Sequence, residues 1–197
     1  MNRITNEEWE IAQRLELPFY ENKLINGFPE LSEFHERILR RGLAYDRRTY
    51  YDSRVVELGG GYSSFLTTIT AKEKVLVDPI RMPESVMDCY NAWDIIVIKE
   101  KAEQFVLNKQ EELFDEIWMS EFLQHTQDPI LILENLKNIG RTVRFCEAVD
   151  TKVSAMHPHT FSAMDLRKEY QRVSIYADFW TVDCEYPYQC GFCVLST

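Results

Sequence analysis

Apolar and polar positions along this chain change their period partway through. Over residues 5–17, Trp9, Ala12, Leu15 and Leu17 recur at helical spacing, Thr5 or Asn6 can cap the run, and Glu7 and Glu8 suit the positive end of a helix. Pro18 is expected to end that helix. A second helix is expected over 29–41, with Gly42 as its stop. From residue 54 the pattern alternates. Short apolar runs at 54–58, 74–78, 94–99, 116–120, 142–149, 177–184 and 191–195 read as strands. Between them, 63–70, 83–92, 103–113, 129–138 and 161–170 read as helices. Strands separated by helices imply βαβ units, right-handed crossovers and a mostly parallel sheet. Only the turn 185–190 separates the last two strands, so these should form an antiparallel hairpin. The expected architecture is α/β, with seven strands, helices on both faces, a small N-terminal helical cap over 1–48 and a main domain over 49–197.

The stretch Val55 to Leu66, VVELGGGYSSFL, carries the chemistry. Two β-branched residues lead to Glu57, then to Gly59, Gly60 and Gly61, then to Tyr62 and Ser63. Glycine is needed where φ must be positive, or where a ligand approaches the main chain with no Cβ in the way. A helix starting after such a loop would offer unpaired N–H groups to an anion or a polar ligand. The next strand ends at Asp78, twenty-one residues after Glu57, followed by Pro79. That spacing suits an acidic residue accepting hydrogen bonds from ribose hydroxyls. A dinucleotide loop of the dehydrogenase type would want Gly-x-Gly-x-x-Gly, and Ser64 stands in the last glycine's place.

These residues resemble the class I S-adenosylmethionine-dependent methyltransferases. The family's first motif is an acidic residue, any residue, Gly, any residue, Gly, matched by Glu57-Leu58-Gly59-Gly60-Gly61, with Ser63 where many members carry a third glycine. Its ribose-binding acid matches Asp78. Its third motif retains Ala102 but has Lys101 where Asp is usual, which leaves backbone groups of Ala102 or the neighbouring Glu103 to read the adenine edge. The region from Phe114 to Pro129 has the family's Phe-Asp, apolar strand, then Leu-x-His before an Asp-Pro helix start. The resemblance implies a Rossmann-like domain that binds S-adenosylmethionine. The implied cofactor residues are Glu57, the three glycines, Tyr62, Ser63, Asp78, Pro79, Ala102, Glu103, Ser120 and Glu121. It also implies a methyl transfer to an acceptor, with a fold-retaining binding or scaffold protein as the alternative.

A base for that transfer should lie on loops at the strand ends. His157 and His159, between the fifth strand and its helix, are the catalytic candidates; Glu121, His125, Glu147 and Asp150 are further positions to weigh. One tyrosine among Tyr45, Tyr50 and Tyr51 is expected to touch the cofactor. No metal is expected: the Asp-Asn pair of the metal-dependent O-methyltransferases is missing after the fifth strand. Cys190-x-x-Cys193 with Cys184 has no second pair beside it, so packing is the favoured reading of these cysteines.

Charge and composition narrow the rest. With 32 acidic against 22 basic residues the net charge is −10, which argues against sequence-independent nucleic-acid binding and points to a small-molecule acceptor. Arg37, Arg40, Arg41, Arg47 and Arg48 are read as a solvated helix face and turn. The first residues show no charged-then-apolar leader and no run approaches a membrane span, so a cytoplasmic protein is expected. Five cysteines are too few for a disulfide framework.

Overall fold

A computed structural model describes residues 3–25, 40, 43, 50–108, 111–183 and 187–196. Seven strands form one sheet: β1 Tyr50–Leu58, β2 Ala71–Val77, β3 Ile95–Ile98, β4 Phe114–Ser120, β5 Gly140–Ala148, β6 Ser174–Asp183 and β7 Pro187–Leu195. Their order is β3-β2-β1-β4-β5-β7-β6. The first five run parallel, and β7 enters antiparallel between β5 and β6. The seven expected strands and the closing hairpin are all present, with boundaries moved by a few residues.

Alternation along the strands divides the core into two layers. Val56 and Leu58 of β1 face one side with Val75, Val77, Ile117, Met119, Val143 and Phe145. Helices α3 (Ala102–Phe105), α4 (Pro129–Asn135) and α5 (Ala163–Val173) cover that side. Val55, Leu76, Trp118 and Cys146 face the other, under α2 (Glu84–Ala92) and a 3-10 turn, Phe65–Thr68. Asp128 caps α4 through Leu131 N–H, and Ser162 caps α5 through Asp165 N–H, each satisfying an orphan donor of the first turn. Phe145 lies flat on Tyr170 of α5, ring centroids 3.7 Å apart, and fastens that helix to the sheet centre.

Three helix expectations change. The segment after the glycine loop forms only the 3-10 turn. Twelve residues separate β1 from β2, and Ser64 caps the turn through Leu66 N–H while Tyr90 of α2 pins its start, which leaves no room for a longer helix. The helix expected over 103–113 stops after four residues. Helix α1, Asn6–Ile25, runs through Pro18, because a proline bends a helix by losing one N–H without always ending it. The second N-terminal helix, over 29–41, lies outside the described residues. Among those residues no helix is long and apolar enough to cross a membrane.

Cys190 and Cys193 sit on opposite faces of β7, Cys190 beside Cys146 and Cys193 in the other layer, so they cannot share a ligand. Phe145→Ala should cost about 3–5 kcal/mol, because it opens a cavity under α5 and unstacks Tyr170. Chemical denaturation should show a lower midpoint at an unchanged slope.

Candidate active site

Strand order reverses between β1 and β4, and a crevice opens beyond the carboxyl ends of the strands at that point, as parallel sheets require. A cavity occupies it. Gly59 follows β1, Asp78 to Ile80 follow β2, Lys101 to Glu103 follow β3, and Glu121, Phe122, His125 and Thr126 follow β4; all line the space, with Trp9, Gln13 and Glu16 of α1 above them. A second, wider opening adjoins it and shares Trp9, Gln13, Pro79 and Ile80, with Tyr62 on its wall.

The glycine loop is shaped by close packing. Gly59 has φ +80, and a Cβ there would stand 2.2 Å from the Phe122 ring; Gly61 has φ +53. The bare main chain at Gly59 therefore receives Phe122 on one side while facing the cavity. Tyr90 donates its hydroxyl to Gly61 carbonyl and accepts Ser64 N–H, holding the loop from beneath. Nothing in the sequence pattern singled out Tyr90, because an aromatic at helical spacing reads as core.

Asp78 accepts Gly61 N–H through one oxygen and Ile80 N–H through the other, both at 2.9 Å, so it ties the ends of β1 and β2 together. Burial pushes its carboxyl up to about 6, against the pull of those two bonds. Glu57 behaves differently from expectation. It is buried under the loop, where it accepts Ser64 Oγ–H and Phe65 N–H, and burial lifts its carboxyl to about 7. Its side chain does not line the cavity: the 3-10 turn needs an acceptor, and Glu57 is the nearest. Gly60, Gly61, Ser63 and Ser120 likewise stay behind the lining, whereas Gly59, Asp78, Pro79, Ala102, Glu103 and Glu121 come together on it.

Two further carboxylates organise the loop after β4. Glu147 is completely buried and accepts the N–H groups of Phe122 and Leu123; burial raises it to about 8. Glu103 accepts Gln127 and Asp128 N–H. Glu121 holds φ +50 and receives the Tyr188 hydroxyl at 2.8 Å. A non-glycine residue in that region is sparsely populated and clusters at functional sites.

The histidines divide by role. His125 lines the cavity, its Nδ1 3.3 Å from Glu16 Oε2, and its ring stands edge-on to His157 at 4.7 Å. Burial works against its charged form, but Glu16, with Glu147 and Glu121 behind it, outweighs this and raises the pKa. His157 stands behind His125, and burial and the facing imidazole lower it. His159 is buried and donates Nε2–H to Thr126 carbonyl at 2.9 Å. Neither His157 nor His159 reaches the cavity wall, since the segment between β5 and α5 packs against the β4 loop and does not arch over the mouth. Tyr50 is also absent from the wall: it is buried edge-on against Trp118. Tyr51 points outward, and Tyr45 lies outside the described residues.

Helix α1 roofs the cavity through contacts the sequence did not announce. Lys101 Nζ lies 3.6 Å over the Trp9 ring and donates to Asn6 Oδ1 at 2.8 Å; Trp9 Nε1–H reaches His125 carbonyl at 3.0 Å, and Ile4 N–H reaches Gln127 carbonyl. Lys101, the residue that departs from the family's third motif, is thus the fastening of the roof.

Solved structures that share this arrangement include S-adenosylmethionine-dependent methyltransferases. The N-methyltransferase NodS of Bradyrhizobium japonicum, in complex with S-adenosylhomocysteine, is 19% identical with a TM-score of 0.63, covering 93% of this chain and 98% of its own. A possible histamine N-methyltransferase of Thermotoga maritima is 16% identical at 0.63, covering 95% and 99%. Phosphoethanolamine N-methyltransferase 1 of Haemonchus contortus, in complex with phosphoethanolamine and S-adenosylhomocysteine, is 15% identical at 0.61, covering 98% of this chain and 51% of its own. The fold is therefore that of the class I S-adenosylmethionine-dependent methyltransferases. Within it, residues 46–147 match the family model described as methionine biosynthesis protein MetW, and the chain belongs to that family. No curated protein matches the sequence at a significant level.

Two outcomes follow from this geometry. In the unfolded chain the carboxyls of Glu57, Asp78 and Glu147 ionise near about 4. In the fold they ionise at about 7, 6 and 8. Their contribution to stability is full below about pH 4 and is lost as the pH rises to about 8. Glu147→Gln, which keeps an acceptor for Phe122 and Leu123 N–H, should flatten the fall in melting temperature between pH 6 and 8; an unchanged slope would contradict the assignment. Lys101→Met should speed amide hydrogen exchange across residues 6–17 several-fold while leaving β1 and β4 protected, as read by mass spectrometry.

Proposed function

We propose that this protein is an S-adenosylmethionine-dependent methyltransferase acting on a small-molecule acceptor, and that the cavity beneath α1 is its donor site. The observation that carries this reading is the convergence of the glycine loop and the Asp78 carboxylate on one crevice at the strand-order reversal. Asp78 would take the ribose hydroxyls, since an ionised carboxylate has acceptor capacity beyond the two N–H groups it already holds. The main chain at Gly59 and the Tyr62 side of the opening would face the methionine portion, and Pro79, Ala102 and Glu103 the adenine. Glu121 would stand at the methyl end.

Electrostatics supports a sulfonium donor over a pyrophosphate. Glu16, Asp78, Glu103 and Glu121 line the cavity against Lys101 and His125, which favours a cation and repels an anion. The reaction is an in-line displacement, so alignment of donor and acceptor is the main catalytic task, worth about 7–11 kcal/mol when complete. The fold-retaining binding protein is the second reading, favoured by the engagement of Glu57 within the loop and of Lys101 with the roof. It would keep the fold without catalysis.

Calorimetric titration separates the cases. Micromolar binding of S-adenosylmethionine, weakened about tenfold or more by Asp78→Asn, is the expected result. Absence of binding at millimolar donor would contradict the first reading and support the second. Binding without release of S-adenosylhomocysteine on any acceptor would favour the second.

A further inference from the structure

Resting on the donor assignment above, we propose that the methyl acceptor is a small amine whose nitrogen sits between Glu121 and Glu16. If the adenosyl portion lies against Pro79, Ile80 and Ala102, the lining left to the acceptor includes Gln13, Glu16, Glu121, Phe122 and His125. Two of these are carboxylates from different elements, Glu16 of the roof helix and Glu121 beyond β4. Among the described lining residues the cations are His125, which Glu16 pairs with, and Lys101, which is committed to Trp9 and Asn6.

The balance is negative, and it is held rigidly. Glu121 is fixed at both its ends: its N–H donates to Cys146 carbonyl at 2.9 Å, and its carboxylate receives the hydroxyl of the buried Tyr188. Its backbone sits at φ +50, a sparsely populated conformation that persists where the surroundings impose it. A carboxylate so placed resists following solvent, which is the condition for preorganised stabilisation of a charge.

The charge that needs it is set by the chemistry. A neutral amine attacks the donor methyl with its lone pair; the new N–C bond forms as the C–S bond breaks, and the bonding pair stays on sulfur. Positive charge thereby leaves the sulfonium and appears on the acceptor nitrogen as a methylated ammonium, which then loses a proton to water or to a neighbouring carboxylate. Carboxylates beside the nitrogen favour that movement and orient the N–H bonds so that the lone pair faces the methyl. A hydroxyl acceptor would instead need its proton removed. His125 is biased toward its charged form by Glu16, Glu147 and Glu121 and is poorly suited to take it. A carboxylate or phosphate acceptor would meet repulsion from both walls. Phe122 offers an apolar surface to the remainder of the molecule.

Matched acceptors test this on the protein loaded with S-adenosylhomocysteine. Benzylamine should bind at least tenfold more tightly than benzyl alcohol, phenylacetate or benzyl mercaptan by calorimetry, and Glu121→Gln should abolish that preference while Glu121→Asp restores part of it. With S-adenosylmethionine, mass spectrometry should find N-methylated benzylamine and no O- or S-methylated product, with rates rising as the pH approaches the amine's own pKa. Equal binding of the four ligands, a preference that survives Glu121→Gln, or methylation confined to oxygen or sulfur would overturn the proposal and leave the donor site standing. Failure of S-adenosylhomocysteine to bind would overturn the donor assignment itself.

Discussion

The Asp78 carboxylate is the joint on which this site depends. It reaches from the end of β2 to the Gly61 N–H beyond β1 and closes on Ile80 N–H in its own loop. Two loops that leave the sheet in adjacent positions are thereby locked to one buried group. Glu57 and Tyr90 secure the same glycine loop from below, and Glu147 does the equivalent for the loop after β4. The floor of the cavity is thus a set of backbone turns, each anchored by a buried acceptor in place of a long helix. Burying an acid costs free energy unless N–H or O–H groups satisfy it, and each of these acids is satisfied by two.

The sheet was readable from the chain because its signals are local. Alternation of β-branched runs with helical stretches predicts the parallel strands, and the missing helix before the last strand predicts the hairpin. The position of Asp78 on the cavity followed from its spacing alone. What the pattern concealed were choices decided by tertiary contacts. Ser63 to Thr70 has helical composition, yet Tyr90 and Glu57 hold it to one 3-10 turn. The same competition turns Glu57 inward, where the motif alone would aim it at a ligand. His157 and His159 flank the active-site end in sequence, but the carbonyl of Thr126 and the ring of His125 draw them away from the cavity.

Lys101 shows how a departure from a family pattern can be informative. At the position where an acid is usual, its ammonium sits over Trp9 and bonds Asn6, so the change in charge coincides with a change in partner from ligand-facing to roof-facing. Among the described side chains of helix α1, Ala12 and Glu16 are buried while Ile11 and Leu15 remain exposed. Its attachment is polar: Trp9 and Asn6, with Ile4 just before the helix, meet Lys101, His125 and Gln127 in the loops that border the cavity. The roof is therefore coupled to the site it covers, and the acidic Glu16 travels with it.

A crystal structure of the complex with S-adenosylhomocysteine decides whether Asp78 holds the nucleoside. The ribose hydroxyls are expected within hydrogen-bonding distance of Asp78, the adenine against Ile80 and Ala102, and α1 closed above with Trp9 near the nucleoside. A nucleoside bound elsewhere, or with its ribose turned away from Asp78, would contradict this placement.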